Sequence, residues 1–263
     1  MTARRISEVL FGMLPMALIL ALWQDLAASG MAPPSLLPAP RAVFLRFAEQ
    51  IANPTFLGHV ATTLLRLFVG FAIAVVVGVT LGVAATGNRA FGAALRPVVR
   101  VLAPVPKIAL YPAFILILGF EHASKIALVA ADATFPILLA TYQGTSAVEP
   151  KLVWSALAAG TSRKKALFTV VLPAALPSVL TGCRIGLVIS CIVSFQVFEQ
   201  VFVMTNGGPA YATTVLGLFI YLNAFRYNNM GYAAAAAYIL FAIIMVITLA
   251  QFRLQERWTN YEL

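Results

Sequence analysis

Residues 64–85 read LLRLFVGFAIAVVVGVTLGVAA, and after Arg66 the run carries no charge. A helix rises about 1.5 Å per residue, so a stretch of this length crosses the ~30 Å hydrocarbon core of a bilayer. Gly78 and Gly82 stand one helical turn apart. Such a small-xxx-small pair lets two helix backbones approach closely. The stretch therefore reads as a membrane helix packed inside a bundle.

The composition agrees. Of 263 residues, 61% are hydrophobic and 10% are charged. Soluble domains carry about 25% charged residues. Nine acids and eighteen bases cannot coat a soluble fold of this size. The net charge of +9 is not matched by any aromatic-plus-basic stripe or nucleic-acid motif. In a membrane protein, excess Lys and Arg hold loops on the cytoplasmic side. Cys183 and Cys191 fall in one apolar segment. On a helix their Cα atoms stand ~12 Å apart, too far for a disulfide, so both read as small packing residues.

Six apolar stretches approach spanning length: about 9–26, 64–85, 101–120, 125–142, 176–197 and 232–251. The whole chain, 1–263, reads as one transmembrane domain. The opening MTARRISEVLFGMLPMALILALW has the basic start of a signal peptide. No small-residue cleavage site follows promptly, so we read an uncleaved first span. Pro33, Pro34, Pro38 and Pro40 deny a continuous helix after it, and a short amphipathic helix is expected around Ala42–Ile51. Pro104, Pro106 and Pro112 predict that the third stretch is bent or irregular. The fold class is all-α, a polytopic membrane helix bundle.

With the N-terminus inside, the cytoplasmic side takes Arg4, Arg5, Arg89, Arg96, Arg100, Lys107, Lys151, Arg163, Lys164, Lys165, Arg253 and Arg257. The outside takes Arg41, Arg46, Arg66, Lys125 and Arg226. This bias satisfies the positive-inside rule and puts both termini in the cytosol.

One basic interruption lies between the fourth and fifth spans. Residues 149–177 read EPKLVWSALAAGTSRKKALFTVVLPAALP. Residues 151–159 read as a short helix, and Gly160 as a turn that a Cβ would resist. A second helix is expected from about Ser162 to Val171, with Leu167, Phe168 and Val171 on one face. Leu172-Pro173 is expected to end it. Helix, glycine turn, helix and proline stop would make a compact cytoplasmic knob.

This stretch resembles the cytoplasmic loop of permease subunits in binding-protein-dependent ABC importers. The family pattern is Glu-Ala-Ala, three residues, Gly, nine residues, then Ile-x-Leu-Pro. Here Gly160, nine residues, then Val170-Val171-Leu172-Pro173 fits the second half. The Glu position holds Trp154, and the two Ala positions hold Ser155 and Ala156. Residues ~30–190 resemble the sulfonate, nitrate and taurine branch, through PPSLLPAPRAVFLRF and LRPVVRVLAPVPKIALYPAFILILGFEHASKIAL. Residues ~194–253 resemble the maltose and glycerol-phosphate sugar branch, through TNGGPA and FRYNNMGYAAA. The chain thus reads as a composite of two branches.

The resemblance implies a transmembrane permease of an ATP-driven importer in the bacterial inner membrane. Its substrate would be a small organic anion such as a sulfonate, nitrate or taurine-like solute; a sugar or glycerol phosphate is the alternative. Trp154, Ser155, Ala156, Gly160, Arg163, Lys164, Leu172 and Pro173 would couple the loop, 149–173, to a separate ATPase. The implied partners are ATPase subunits carrying ATP and Mg²⁺, a periplasmic substrate-binding protein, membrane lipid, and a second permease subunit, with a homodimer favoured over a heterodimer. No cofactor, metal or nucleic acid is expected on this chain, and no P-loop is present. It is not read as an enzyme: His59 and His122 lie far apart in sequence, with no clustered nucleophile.

Intramembrane charges face the protein interior or a water path. Asp132 falls near the middle of the fourth span and Arg184 in the fifth. Asp132 is expected to line the substrate path or pair with Arg184; Arg184 alternatively snorkels to the interface. Glu199, Gly207, Gly208 and Pro209 are expected in a periplasmic loop, with Gly207-Gly208-Pro209 as a tight turn. An ion-driven secondary transporter would show two inverted halves, which the sequence lacks. A nonfunctional composite of two branches is the remaining rival.

Overall fold

The computed structural model describes residues 3–208 and 213–258. Among them there are twelve α-helices and no strand. Five helices are long and apolar enough to cross a membrane, or six if one sharply bent pair is a single span. The chain is an all-α polytopic membrane bundle.

Helix α1 (Ala3–Ala28) lies at the periphery. It is tied to the bundle where Trp23 Nε1 donates to the Pro38 carbonyl, 3.0 Å away. Helix α2 (Pro40–Ile51) starts on Pro40, whose fixed φ suits a first helical position. Helix α3 (Pro54–Gly87) begins nearly three turns before the expected apolar stretch at 64–85. Asn53 caps it, its side chain accepting from Thr55 N at 2.9 Å, with Pro54 in the first turn. The mixed stretch TFLGHVATT, residues 55–63, is therefore helical.

Helix α3 packs parallel to α6 (His122–Ser146) at backbone distance. A Cβ on Gly70 would stand 2.8 Å from the Ile126 carbonyl, and one on Gly82 would stand 2.7 Å from Thr141 Cβ. Gly78 meets Ile137 in the same way. Thr86 Oγ1 and Thr145 Oγ1 close the far end of this seam at 2.7 Å. The third partner is α9 (Leu172–Gln196), which runs antiparallel to α6. Gly182 faces Ala140 and Pro136, Gly186 faces Ile137, and Gly144 of α6 faces Ser178. The small-residue pair at Gly78 and Gly82 is thus one part of a seam serving both sides of α6.

Between α3 and α6 the chain must return to the starting side. It does so through α4 (Arg89–Leu102), a 3₁₀ turn at Lys107–Leu110 and α5 (Tyr111–Leu118), with a 94° bend between the halves. Pro104 and Pro106 cannot donate backbone hydrogen bonds, so the third stretch breaks there.

The knob between the fourth and fifth apolar stretches differs from expectation at its end. Helix α7 (Pro150–Ala158) and α8 (Arg163–Ala166) form as read. The chain then continues without a stop through a π turn at Leu167–Val171 into α9. Leu172 N donates to the Leu167 carbonyl, one residue further back than in an α-helix. The widened turn accommodates Pro173, which has no N–H to donate, so Leu172 and Pro173 lie inside a helical run from Arg163 to Gln196. The π turn also rotates side chains: Val171 is buried, Leu167 half-buried and Phe168 62% exposed, so the three do not share a face.

Beyond α9 come α10 (Glu199–Met204), α11 (Leu216–Tyr221), a π turn at Leu222–Arg226 and α12 (Met230–Trp258). Phe56, Leu67, Cys191, Phe195, Leu216, Ala236 and Ile239 form one apolar core joining α3, α9, α11 and α12. Cys183 and Cys191 are free thiols.

The seam makes a prediction. A Cβ on Gly182 would sit 2.3 Å from Ala140 Cβ, whereas one on Gly58 meets nothing within 4 Å. Gly182→Ala is expected to cost about 1–3 kcal/mol and to lower the thermal unfolding midpoint of the detergent-solubilised protein. Gly58→Ala should leave that midpoint unchanged or raise it.

Candidate functional site

Two regions carry chemistry, at opposite ends of the α3–α6–α9 core. One is the elbow between α6 and α9. Gly160 has φ +84°, and its N–H donates to Leu157 O while Thr161 N–H donates to Ala156 O, both at 3.0 Å. This pair of bonds is a Schellman closure, which requires the left-handed conformation that glycine adopts without a Cβ clash. Ser162 then caps the next helix, its hydroxyl accepting from Lys165 N at 3.4 Å. The turn is anchored beneath by buried Ala166 and by Leu167 against Gly87. On the flanking helical segments, Leu152, Trp154 and Phe168 are 49%, 65% and 62% exposed. Ser155, Arg163 and Lys164 are exposed beside them, and Ala156 is half-buried.

The other region is a chamber of about 290 Å³ among the start of α3, the 3₁₀ turn, the start of α6 and the end of α9. Its polar lining includes Arg66, Lys107, Lys125, Asp132, Tyr111 and Ser190. Arg66 Nε donates to His122 Nδ1 at 3.1 Å. Lys107 is buried, donates to the Ala103 carbonyl, and holds its ammonium 4.4 Å from the centre of the Phe135 ring, a cation–π contact. Lys125 donates to the Phe120 and Glu121 carbonyls. The Tyr111 and Ser190 hydroxyls are buried and find no hydrogen-bond partner among the described residues. The rest of the wall is largely aliphatic, with Leu67, Leu128, Val129, Ile189, Val193 and Val197.

Asp132 lies on this chamber and Arg184 does not. Arg184 is half-buried on α9, and no ion pair joins the two among the described residues. Lys107 also departs from the sequence reading. The bend after α4 turns it from a cytoplasmic loop cation into a companion of Arg66 and Lys125. Arg66, Lys107, Tyr111 and Ser190 were not among the expected site residues. Arg66 and Lys107 lie inside apolar stretches, so the rule that singles out Asp132 finds them too. No sequence signal marks Tyr111 or Ser190.

The segment after α9 covers the chamber through Val201 and Val215. Its tight turn is Thr205–Gly208, closed by Gly208 N donating to Thr205 O at 2.9 Å, with positive φ at Asn206 and Gly207. The turn therefore precedes the expected Gly207-Gly208-Pro209, because Asn-Gly tolerates two positive φ values. Pro209 lies outside the described residues. Thr213 is fully buried; its hydroxyl lies 2.7 Å from Thr205 Oγ1 and donates to the Gly208 carbonyl at 2.8 Å. Glu199 is exposed at the first turn of α10.

Residues 74–260 match the model of the binding-protein-dependent transport system inner membrane component family. The chain belongs to this family. It is an ABC transporter permease, built for transport across a membrane. It is 34% identical over 176 residues to a putative aliphatic sulfonates transport permease, SsuC, of Bacillus subtilis, covering 67% of this chain and 64% of that protein's length. It is 29% identical over 213 residues to the taurine transport system permease TauC of Escherichia coli, covering 76% and 77%. A sugar-branch relative also matches, the multiple sugar-binding transport system permease MsmF of Streptococcus mutans, at 33% over 140 residues, or 53% of this chain and 47% of that one. The shares of 67% and 53% must overlap, so the two likenesses run through a common stretch. The fold is that of a bacterial ABC transporter involved in alginate import, at TM-score 0.64 and 16% identity over 97% of this chain and 98% of that one. The MetNI methionine ABC transporter gives TM-score 0.59 at 20% identity over 78% and 96%.

The buried Thr213 hydroxyl holds the covering segment closed. Thr213→Val is expected to cost about 1–3 kcal/mol, since it leaves buried partners unpaired. Hydrogen exchange across residues 199–216 should accelerate, while exchange within α6 stays unchanged.

Proposed function

We propose that this chain is a permease subunit of an ATP-driven importer of sulfonate-class organic anions in the bacterial inner membrane. It works with separate ATPase subunits that bind ATP and Mg²⁺, a periplasmic substrate-binding protein and a second permease subunit, most simply an identical copy. Both termini lie in the cytosol. The observation that carries this reading is the elbow. Leu152, Trp154 and Phe168 are exposed on the helices that flank a Schellman turn, in a polar, cation-bearing stretch that interrupts the apolar spans. Exposed apolar side chains beside exposed cations fit a partner surface, and the ATPase is the partner this family's architecture calls for. Trp154 replaces the acidic side chain of the family pattern, so docking there relies on apolar area. The aliphatic sulfonate and taurine relatives support the substrate class. A sugar importer is the second reading, supported by the MsmF likeness.

Ala159→Cys in a Cys183→Ser, Cys191→Ala background, co-expressed with the candidate ATPase carrying a cysteine in its docking cleft, tests the reading. A crosslink that changes in yield with ATP supports it. Absence of any crosslink from positions 151–171 in an inserted, folded chain would sink it. Trp154→Ala should weaken copurification of the ATPase by about tenfold or more, as for a central aromatic anchor. Uptake of labelled sulfonate against labelled oligosaccharide by the assembled transporter separates the two substrate readings.

A further inference from the structure

We propose that the chamber between α3, α6 and α9 is a binding site for a short-chain organic oxyanion within the permease itself, distinct from any site on a substrate-binding protein. It rests on the importer reading above and names where in this chain the solute is held.

The charge count comes first. Arg66, Lys107 and Lys125 line the chamber with a single carboxylate, Asp132. Set against Arg66 and Lys107 alone, that carboxylate still leaves a positive charge over. Holding cations against a largely apolar wall is costly, and they persist where they face water or a ligand. The named contacts do not cancel the surplus, since Arg66 donates to an imidazole and Lys107 to a carbonyl. An anion entering the chamber would meet charge already in place, with little reorganisation required.

The hydroxyls are an independent observation. Tyr111 and Ser190 are each 2% exposed, both line the chamber, and neither oxygen has a partner among the described residues. A buried hydroxyl left unpaired is destabilising. Donation to the oxygens of a sulfonate head group would satisfy both. They approach from different elements, Tyr111 at the start of α5 and Ser190 near the end of α9.

The remaining wall selects the rest of the solute. Leu128, Val129, Ile189 and Val193 offer no hydrogen bonds. A sugar brings a hydroxyl on nearly every carbon, and each would lose its water unpaired against this wall. An aliphatic chain loses nothing there. The volume of about 290 Å³ lies at the small end of ligand pockets, which suits a chain of a few carbons.

The experiment uses the purified full chain in lipid nanodiscs, with butane-1-sulfonate, inorganic sulfate and maltose as probes. Binding is read by titration calorimetry and by the shift in unfolding midpoint. Butane-1-sulfonate is expected to bind and stabilise the protein, sulfate more weakly, and maltose not at all. Arg66→Gln should weaken binding by about tenfold to a hundredfold, and Arg66→Lys should restore part of it. Because Arg66 also bonds His122, Tyr111→Phe and Ser190→Ala serve as variants that keep packing intact; each should weaken binding by about fivefold. The site is overturned if butane-1-sulfonate does not bind, if it binds no more tightly than sulfate, or if Arg66→Gln and Tyr111→Phe bind it like the unaltered chain. Sulfonate uptake by the assembled transporter with an unchanged KM in Arg66→Gln would also overturn it while leaving the importer reading standing. Binding that follows the expected pattern without any ATP-dependent uptake would sink the importer reading and keep the site.

Discussion

The close approach of α6 to both α3 and α9 is the constraint on which the other features depend. With lipid outside, no hydrophobic force drives helices together; dispersion between well-fitted backbones does. Gly70, Gly78 and Gly82 admit α6 on one side, and Gly182 and Gly186 admit it on the other. Larger side chains would part the helices and dissolve the register. That register sets Arg66 beside His122, Thr86 beside Thr145, and Ser178 beside Gly144. It also brings Arg66, Asp132 and Ser190, from three helices, onto one chamber.

A parallel pair such as α3 and α6 forces a long return connection. In this chain the return is where polarity enters the bundle. Pro104 and Pro106 break the helix, the chain turns through 94°, and the 3₁₀ turn that follows delivers Lys107 and Tyr111 to the chamber. Irregular backbone at membrane depth is tolerated when it is buried in protein or lines a cavity. The break satisfies both conditions, and Lys107 caps the freed Ala103 carbonyl itself.

Much of this was legible in the residues. Apolar length found the spans, the prolines located the broken one, and the glycine of GTSRKK marked a left-handed turn. Three things were not legible, each for a physical reason. Helix α3 runs beyond its apolar segment because an Asn-Pro cap starts it in polar sequence. The Leu172-Pro173 stop disappears because a π turn accommodates proline's missing donor. The chamber was only half visible. A cation inside an apolar run looks the same whether it anchors a loop or lines a cavity, and Tyr111 and Ser190 become polar features only once folding buries them.

The elbow and the chamber share helices. Helix α6 runs from Lys125 and Asp132 at the chamber to Ser146, just before the elbow. The helical run that leaves the elbow at Arg163 reaches Ser190 at the chamber. Packed interfaces of this kind do not deform continuously; they hold or they switch. Under the proposed docking at Trp154, a force there would act through two helices, both of which carry chamber walls. The π turn at Leu167–Val171 lies at the base of one of them, with its hydrogen-bond ladder already displaced by a residue. A change in helix register along this path would begin at that turn. The glycine seam along α6 then decides how that change is received: α6 is gripped on two faces, so motion entering at the elbow would appear as sliding of α9 along α6, with Ser190 moving relative to Arg66 and Asp132.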